Sequence, residues 1–252
     1  MSAAKTPVSA SYDPGENVTY VLTLVNGGET AVTGLTVTDD LGGYEYQGET
    51  VYPLEYVEGS LLYFVDGVRQ TAPAVTAGPP LILTGVEVPA GGNATLIYEA
   101  SVTRFAPLGE TAEIVNTAVV TGNGLSLTAS ATLPMAGGPE LTISKSVSPE
   151  SVSGGDELAY TFVIQNTGSE AADAEDAVVV TDTFDPILTG LTVELDGVAL
   201  TAGTDYTYDE ATGEFATAAG RVTVPAATYV QNTDGSWAVN PGVAVLTVSG
   251  TV

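Results

Sequence analysis

Short apolar segments with alternating polar positions run along the whole chain, as in TYVLTLV, GLTVTD, ATLIYEASV and VLTVSGTV. These segments are rich in β-branched residues and are separated by turns that draw on 29 Gly and 14 Pro. Alternation with a period of two, interrupted by a turn every ~8–12 residues, is typical of strands in a β-sandwich. No stretch shows a helical apolar period. The pattern therefore predicts an all-β chain with little helix.

The chain contains an internal repeat. Four residue pairs share one constant spacing: Lys5 and Lys145, Tyr20 and Tyr160, Asn26 and Asn166, Gly28 and Gly168. Further on, Asp39 pairs with Asp182 after a short insertion, and Val102 pairs with Val252. We therefore expect two tandem immunoglobulin-like β-sandwich domains, over residues 1–134 and 140–252, joined by a Pro- and Gly-rich linker at 135–139. The second domain should lack its last strands, because it has no counterpart of IVNTAVV and LSLTASATL.

Composition narrows the classes of function. The net charge is −26, from 31 acidic and 5 basic residues. Such a surface repels phosphate backbones and anionic lipid headgroups, so nucleic acid is not an expected partner. The chain has no cysteine and no histidine, which excludes thiol nucleophiles, disulfides, histidine-centred triads and the usual zinc ligand sets.

The first residues, MSAAKTP, have none of the features of a signal peptide, and no apolar run approaches the ~18 residues of a transmembrane helix. We interpret the chain as an excised fragment with an added Met1. An export signal and an anchor would then lie outside it, and no membrane insertion is expected within it.

The two lysines are the most unusual feature of the sequence. Lys145 shares the strand parity of Leu141, Ile143 and Val147, so it is predicted to point towards the core. Asp39 and Asp182 share the parity of apolar neighbours in the same way. Burying an ion costs several kcal/mol unless it is paired, so each repeat should hold an inward lysine beside an inward aspartate.

A set of segments resembles a known family. They are the early lysines in KTP and KSV, PGENVTYVLTLVNGG and GGDELAYTFVIQNTG, the strand ends VTDDL and VTDTF, the VPAGG turn, and VNTAVV in the first repeat only. The chain resembles bacterial surface repeats of domain-of-unknown-function family eleven, which are related to Cna-type isopeptide-forming stalk domains. The resemblance implies an extracellular location at a cell surface or cell wall.

It also implies an autocatalytic Lys–Asn isopeptide bond in the first repeat. Lys5 would be the amine, Asn116 in VNTAVV the acceptor amide, and Asp39 the assisting acid that polarises the amide carbonyl, with the partners on adjacent strands. Two other interpretations stay open: a buried Lys5–Asp39 ion pair, or a frayed terminus with Asn116 capping a bulge. In the second repeat Lys145 and Asp182 are the equivalent positions without an Asn partner, so no bond is expected there.

Two further groups are weaker candidates. A Tyr-rich segment, 44–63, is either a ligand-contact surface or a hairpin that covers the sandwich edge; its candidate contact residues are Tyr44, Tyr46, Tyr52 and Tyr56. The acidic cluster of Asp173, Glu175 and Asp176 is either a calcium site or a solvated turn. No other cofactor is indicated.

These observations favour a structural stalk or spacer of a bacterial cell-surface protein. One alternative is an adhesin module that binds a host protein or glycan through segment 44–63. Another is a surface filament subunit, completed by a strand donated from a neighbouring copy. No enzyme activity beyond self-cross-linking is indicated.

Overall fold

The computed structural model describes residues 1–252, which form two compact units. The first comprises Met1–Ala136 together with Gln231–Ala238, and the second comprises Gly137–Val230 together with Val239–Val252. The strands are, in chain order, β1 (Ser2–Pro7), β2 (Asn17–Val25), β3 (Val32–Asp39), β4 (Tyr44–Tyr46), β5 (Glu49–Val51), β6 (Leu54–Tyr56), β7 (Leu62–Val65), β8 (Val68–Gln70), β9 (Ala74–Thr76), β10 (Leu81–Val88), β11 (Asn93–Val102), β12 (Glu113–Gly122), β13 (Leu125–Pro134), β14 (Leu141–Ser148), β15 (Glu157–Asn166), β16 (Thr181–Thr183), β17 (Thr189–Leu195), β18 (Val198–Ala199), β19 (Tyr206–Tyr208), β20 (Glu214–Thr217), β21 (Thr228–Gln231), β22 (Trp237–Asn240) and β23 (Gly242–Thr251).

The first unit is a sandwich of two antiparallel sheets. One has the order β1-β2-β11-β7-β8, with β6 also paired to β11, and the other has the order β13-β12-β3-β10-β9. Alternate residues of both sheets point inwards and form one core, which includes Leu22 and Leu96 from the first sheet and Val37 and Leu83 from the second. The period-two pattern of the sequence thus becomes one buried face on each sheet.

The second unit has the same first sheet but a reduced second one. Its strands β14-β15-β23-β17-β18 correspond to β1-β2-β11-β7-β8, whereas its other sheet contains only β16-β20-β19. Residues 137–252 form no counterpart of β12 and β13. Phe184 occupies the centre of this smaller core and stacks on Tyr160, with ring centroids 4.8 Å apart.

The predicted fold class is confirmed: the chain is all-β, in two sandwiches, with the last strands missing from the second. The one helical element is a 3₁₀ turn at Ala174–Asp176. The structure contains no helix whose length and hydropathy would allow it to span a bilayer.

A buried asparagine fixes the same turn in each unit. The Asn26 amide nitrogen donates to the Thr30 carbonyl at 2.8 Å and to the Pro89 carbonyl at 3.0 Å, while its Oδ1 accepts from the Gly28 amide at 3.0 Å. Asn166 makes the equivalent three bonds, to the carbonyls of Glu170 and Pro225 and from the Gly168 amide, at 2.7, 3.0 and 2.9 Å. The repeat seen in the sequence is therefore also a repeat of individual hydrogen bonds.

Asn26→Ala should lower the free energy of unfolding of the first unit by about 2–3 kcal/mol, because it leaves buried backbone groups without partners. Chemical denaturation followed by tyrosine fluorescence measures this loss. Asn17→Ala, at an exposed position of β2, is the control and should cost less than about 0.5 kcal/mol. Equal losses in the two variants would contradict a structural role for the Asn26 bonds.

Candidate functional site

Lys5 lies at the centre of β1, an edge strand, and its side chain points into the first sandwich. Only 5% of the residue is exposed, although its two neighbours in the strand, Ala4 and Thr6, are both exposed. β1 pairs with β2 so that Lys5 lies opposite Leu22. The ammonium nitrogen lies 5.0 Å from the centroid of the Tyr20 ring, a distance that allows a cation–π contact.

Asp39 is the partner of Lys5 and ends β3 in the facing sheet. Its Oδ2 lies 2.7 Å from the Lys5 Nζ, and the residue is 1% exposed. Its Oδ1 accepts from the backbone amide of Leu41 at 3.1 Å, which fixes the carboxylate in the turn that follows the strand. The ion pair therefore bridges the two sheets within the core.

Two more polar side chains complete the cluster. The Tyr98 hydroxyl, on β11, donates to the same Asp39 Oδ2 at 2.5 Å. The Asn116 amide nitrogen, on β12, donates to the Tyr98 hydroxyl at 3.4 Å. Asn116 is 0% exposed, and its Oδ1 has no hydrogen-bond partner. The structure thus brings Lys5, Asp39 and Asn116 into one buried cluster, joined through Tyr98.

Burial governs the electrostatics of this cluster. Desolvation lowers the pKa of Lys5, although the neighbouring Asp39 carboxylate opposes the shift. Desolvation and the charge of Asp39 together raise the pKa of Tyr98 well above its usual value. The environment therefore favours a neutral amine at Lys5 more than water does, and it keeps the Tyr98 phenol protonated.

Two expectations about the site need correction. Lys5 and Asn116 do not lie on adjacent strands, because β1 pairs with β2 whereas β12 pairs with β3 and β13 in the facing sheet. Asp39 also does not hydrogen-bond to the Asn116 carbonyl, whose oxygen has no partner. The acid reaches Asn116 through the Tyr98 hydroxyl instead.

Tyr98 and Tyr20 are site residues that the sequence pattern does not identify, because a tyrosine at an apolar strand position is expected in the core. Their rings stack with centroids 5.8 Å apart and form the floor beneath Lys5. Their inward direction could be predicted, since Tyr20 shares the parity of Val18 and Leu22 in VTYVLTLV. Tyr98 shares that of Leu96 and Ala100 in ATLIYEASV.

In the second unit, the lysine that was predicted to point towards the core is only partly buried. Lys145 does pair with Asp182, but its side chain is 38% exposed, against 0% for Lys5. The whole of β14 is exposed, including Ile143 at 56%. The physical reason is the missing cover, because strands equivalent to β12 and β13 would lie over this face.

The Tyr-rich segment contributes mainly to the structure of the first unit. Tyr56 is buried beside Tyr98 in the core, so this candidate contact residue offers no surface to a ligand. The Tyr44 hydroxyl donates to the Phe105 carbonyl at 2.8 Å. Tyr46 and Tyr52 are half-buried.

The acidic cluster at Asp173, Glu175 and Asp176 caps the 3₁₀ turn. The Asp173 carboxylate accepts from the Glu175 amide, and the Asp176 carboxylate accepts from the Asp173 amide, both at 2.8 Å. No group of three acidic side chains in the structure is arranged to hold a metal ion, so the calcium interpretation has no geometric support.

Comparison with known proteins gives distant structural likenesses only. No protein-family model and no curated protein matches the sequence. Among solved structures, BspA_C_WT matches with 14% identity and a TM-score of 0.41, over 99% of this chain and 91% of that one. The collagen-binding subdomain ACE19 of the Enterococcus faecalis surface protein ACE matches with 10% identity and a TM-score of 0.35, over 52% of this chain and 95% of that one. BcpA, the major pilin subunit of Bacillus cereus, matches with 12% identity and a TM-score of 0.38, over 97% of this chain and 65% of that one. Likeness at this level assigns no function, ligand or partner.

The difference in burial between the two lysines predicts different costs of removing them. In an Asn116→Ala background, which lacks the predicted acceptor amide, Lys5→Met should destabilise the first unit by about 3–5 kcal/mol, because Asp39 is left buried without a counter-ion. Lys145→Met should cost the second unit less than about 1 kcal/mol, since water screens that pair. Denaturant unfolding measures both values, and a small cost at Lys5 would show that its charge is not desolvated.

Proposed function

We propose that the chain is a structural spacer module of a bacterial cell-surface protein, and that its first unit ties itself with an isopeptide bond between Lys5 and Asn116. The single observation that carries this proposal is the enclosure of an amine, a carboxylate and a carboxamide in one buried cluster of the first unit. A purely structural ion pair requires no asparagine with a free carbonyl beside it.

The chemistry follows from the contacts. Proton transfer along the 2.7 Å contact from Lys5 to Asp39 gives a neutral amine and a protonated acid. The amine then attacks Cγ of Asn116, and ammonia leaves. A carboxamide is unreactive in water, so the reaction needs the high effective molarity that two rigid, facing sheets provide. Burial contributes by favouring the neutral amine.

The position of the proposed bond suggests a mechanical role. It would join β1 of one sheet to β12 of the facing sheet, so the two layers of the sandwich could not separate. β1 is an edge strand that pairs with one strand only, β2, and it is the natural place for force applied at the N-terminal side to begin unfolding. A covalent tie at its centre stops that strand from peeling away, which suits a spacer that bears tension or resists proteases.

The mass of the intact protein tests the cross-link directly. We expect a deficit of one ammonia relative to the sequence, because the bond forms with loss of the Asn116 amide nitrogen. Lys5→Ala and Asn116→Ala should each restore the full mass. Lys145→Ala is the matched control and should keep the deficit, since the second unit has no Asn-bearing strand. A full mass in the wild-type protein, after prolonged incubation, would remove the cross-link from the proposal.

A second candidate function rests on the open face of β14. In the first unit β13 and β12 cover β1, whereas in the second Leu141, Ile143 and Val147 are 36%, 56% and 40% exposed. Apolar side chains at inward-facing strand positions favour completion by another strand, here one from a neighbouring copy of the chain. The module would then be a filament subunit.

Light scattering over a range of protein concentrations tests this assembly. We expect wild-type protein to associate, and Ile143→Asp to abolish association by placing a charge on the open face. Thr142→Asp adds the same charge on the opposite face of β14 and should leave association intact. Protein that stays monomeric at every concentration would favour the spacer alone.

A further inference from the structure

We propose that Tyr98 is a catalytic residue of the cross-linking reaction, passing a proton from Asp39 to the departing amide nitrogen of Asn116. This inference rests on the proposed isopeptide bond and assigns a role to a residue that the family resemblance does not mark.

The geometry places Tyr98 between the acid and the leaving group. Its hydroxyl donates to Asp39 Oδ2 at 2.5 Å and accepts from Asn116 Nδ2 at 3.4 Å. Nδ2 is the atom that must leave as ammonia. The longer contact has room to shorten when Nδ2 becomes tetrahedral and basic, as catalytic hydrogen bonds often do on the way to the transition state.

The alternative route, in which Asp39 polarises the carbonyl, has no contact to support it. Asn116 Oδ1 is buried without a partner, and the hydrogen bond made by the amide group runs through Nδ2 to Tyr98. Acid assistance is therefore directed at the leaving group. This is the harder part of the reaction, because expelling an unprotonated amide anion is prohibitive whereas expelling ammonia is not.

The proton balance closes without any other reactant. Lys5 first gives a proton to Asp39, and its neutral amine adds to Cγ of Asn116. Tyr98 then gives its phenolic proton to Nδ2 and takes the proton held by Asp39. The Cγ–Nδ2 bond breaks, ammonia leaves, and Asp39 takes the extra proton from the new amide nitrogen. The products are the amide, ammonia, intact Tyr98 and a protonated Asp39.

The two repeats add an independent observation. The lysine, the aspartate and the first tyrosine of the floor occur in both, as Lys5 with Lys145, Asp39 with Asp182 and Tyr20 with Tyr160. Tyr98 aligns with Val248, so the second repeat lacks this tyrosine as well as the Asn-bearing strand. Tyr98 and Asn116 are thus present in the same unit and missing from the same unit, as expected if they work together.

The rate of bond formation tests the role of Tyr98. The full chain is made in a short cell-free synthesis pulse, samples are quenched in denaturant, and the fraction with an ammonia deficit is followed by intact mass. Tyr98→Phe keeps the ring but removes the proton relay, and should slow bond formation by ~100-fold, the usual lower range for general acid–base assistance.

Tyr56→Phe is the matched control. Tyr56 also packs against Tyr98 in the core, with ring centroids 6.4 Å apart. Its hydroxyl makes no hydrogen bond to Lys5, Asp39 or Asn116, so its loss should leave the rate within a few-fold of wild type. A fluorinated tyrosine placed at position 98 keeps the shape and the hydroxyl while making the phenol more acidic, and it should speed the reaction. This third variant separates proton transfer from folding.

The outcomes are distinguishable. Wild-type bonding with a slow Tyr98→Phe variant and a normal Tyr56→Phe variant supports the relay. Tyr98→Phe bonding at the wild-type rate, equal slowing in both Phe variants, or no response to the fluorinated residue overturns the role of Tyr98 but leaves the cross-link standing. Absence of any deficit in wild-type protein overturns both.

Discussion

The desolvated contact between Lys5 and Asp39 is the constraint on which the first unit depends. Neither ion can be left in an apolar interior without the other, and neither finds water inside the sandwich. The pair therefore requires a strand in each sheet. β1 must stay paired with β2 so that Lys5 points into the core. β3 must end at Asp39 so that the Oδ1 atom of this residue can accept from the Leu41 amide. The stacked rings of Tyr20 and Tyr98, together with β12, then enclose the pair.

The second unit shows what happens to the same residues without that enclosure. Lys145 keeps an aspartate partner and lies 4.3 Å from the Tyr160 ring centroid, much as Lys5 lies over Tyr20. Its side chain nevertheless reaches solvent, because no strand lies over β14. Local sequence thus specifies which way the lysine points and which acid it meets, whereas burial is set by strands that are distant in the chain. Reactivity that depends on burial belongs only to the enclosed unit.

The difference between what local sequence specifies and what distant strands specify also explains how much could be predicted from the sequence. Strand positions and the inward parity of Lys145, Asp39 and Asp182 follow from local alternation. Lys5 follows from its alignment with Lys145 in the repeat, and Asn116 follows from the family resemblance in VNTAVV. The arrangement of strands in space does not follow from alternation, which is why Lys5 and Asn116 were expected on adjacent strands and lie instead in facing sheets. Tyr98 was missed for a different reason. A tyrosine at an apolar position looks like core, and only the geometry of its hydroxyl shows a polar role.

The energetic cost of burying this cluster is consistent with a role as the precursor of the proposed isopeptide bond. Asn116 Oδ1 and the Tyr20 hydroxyl are both buried without partners, and each such group costs roughly 1–3 kcal/mol. A domain of this size has a net stability of only about 5–15 kcal/mol, so these costs are large for a site that does nothing further. The proposed bond would change the balance. It would replace a buried ammonium and a buried carboxamide with one neutral secondary amide, and it would leave Asp39 as a neutral acid, so the core would no longer need an ion pair. The proposed bond would therefore relieve costs that the unreacted polar cluster imposes on the fold.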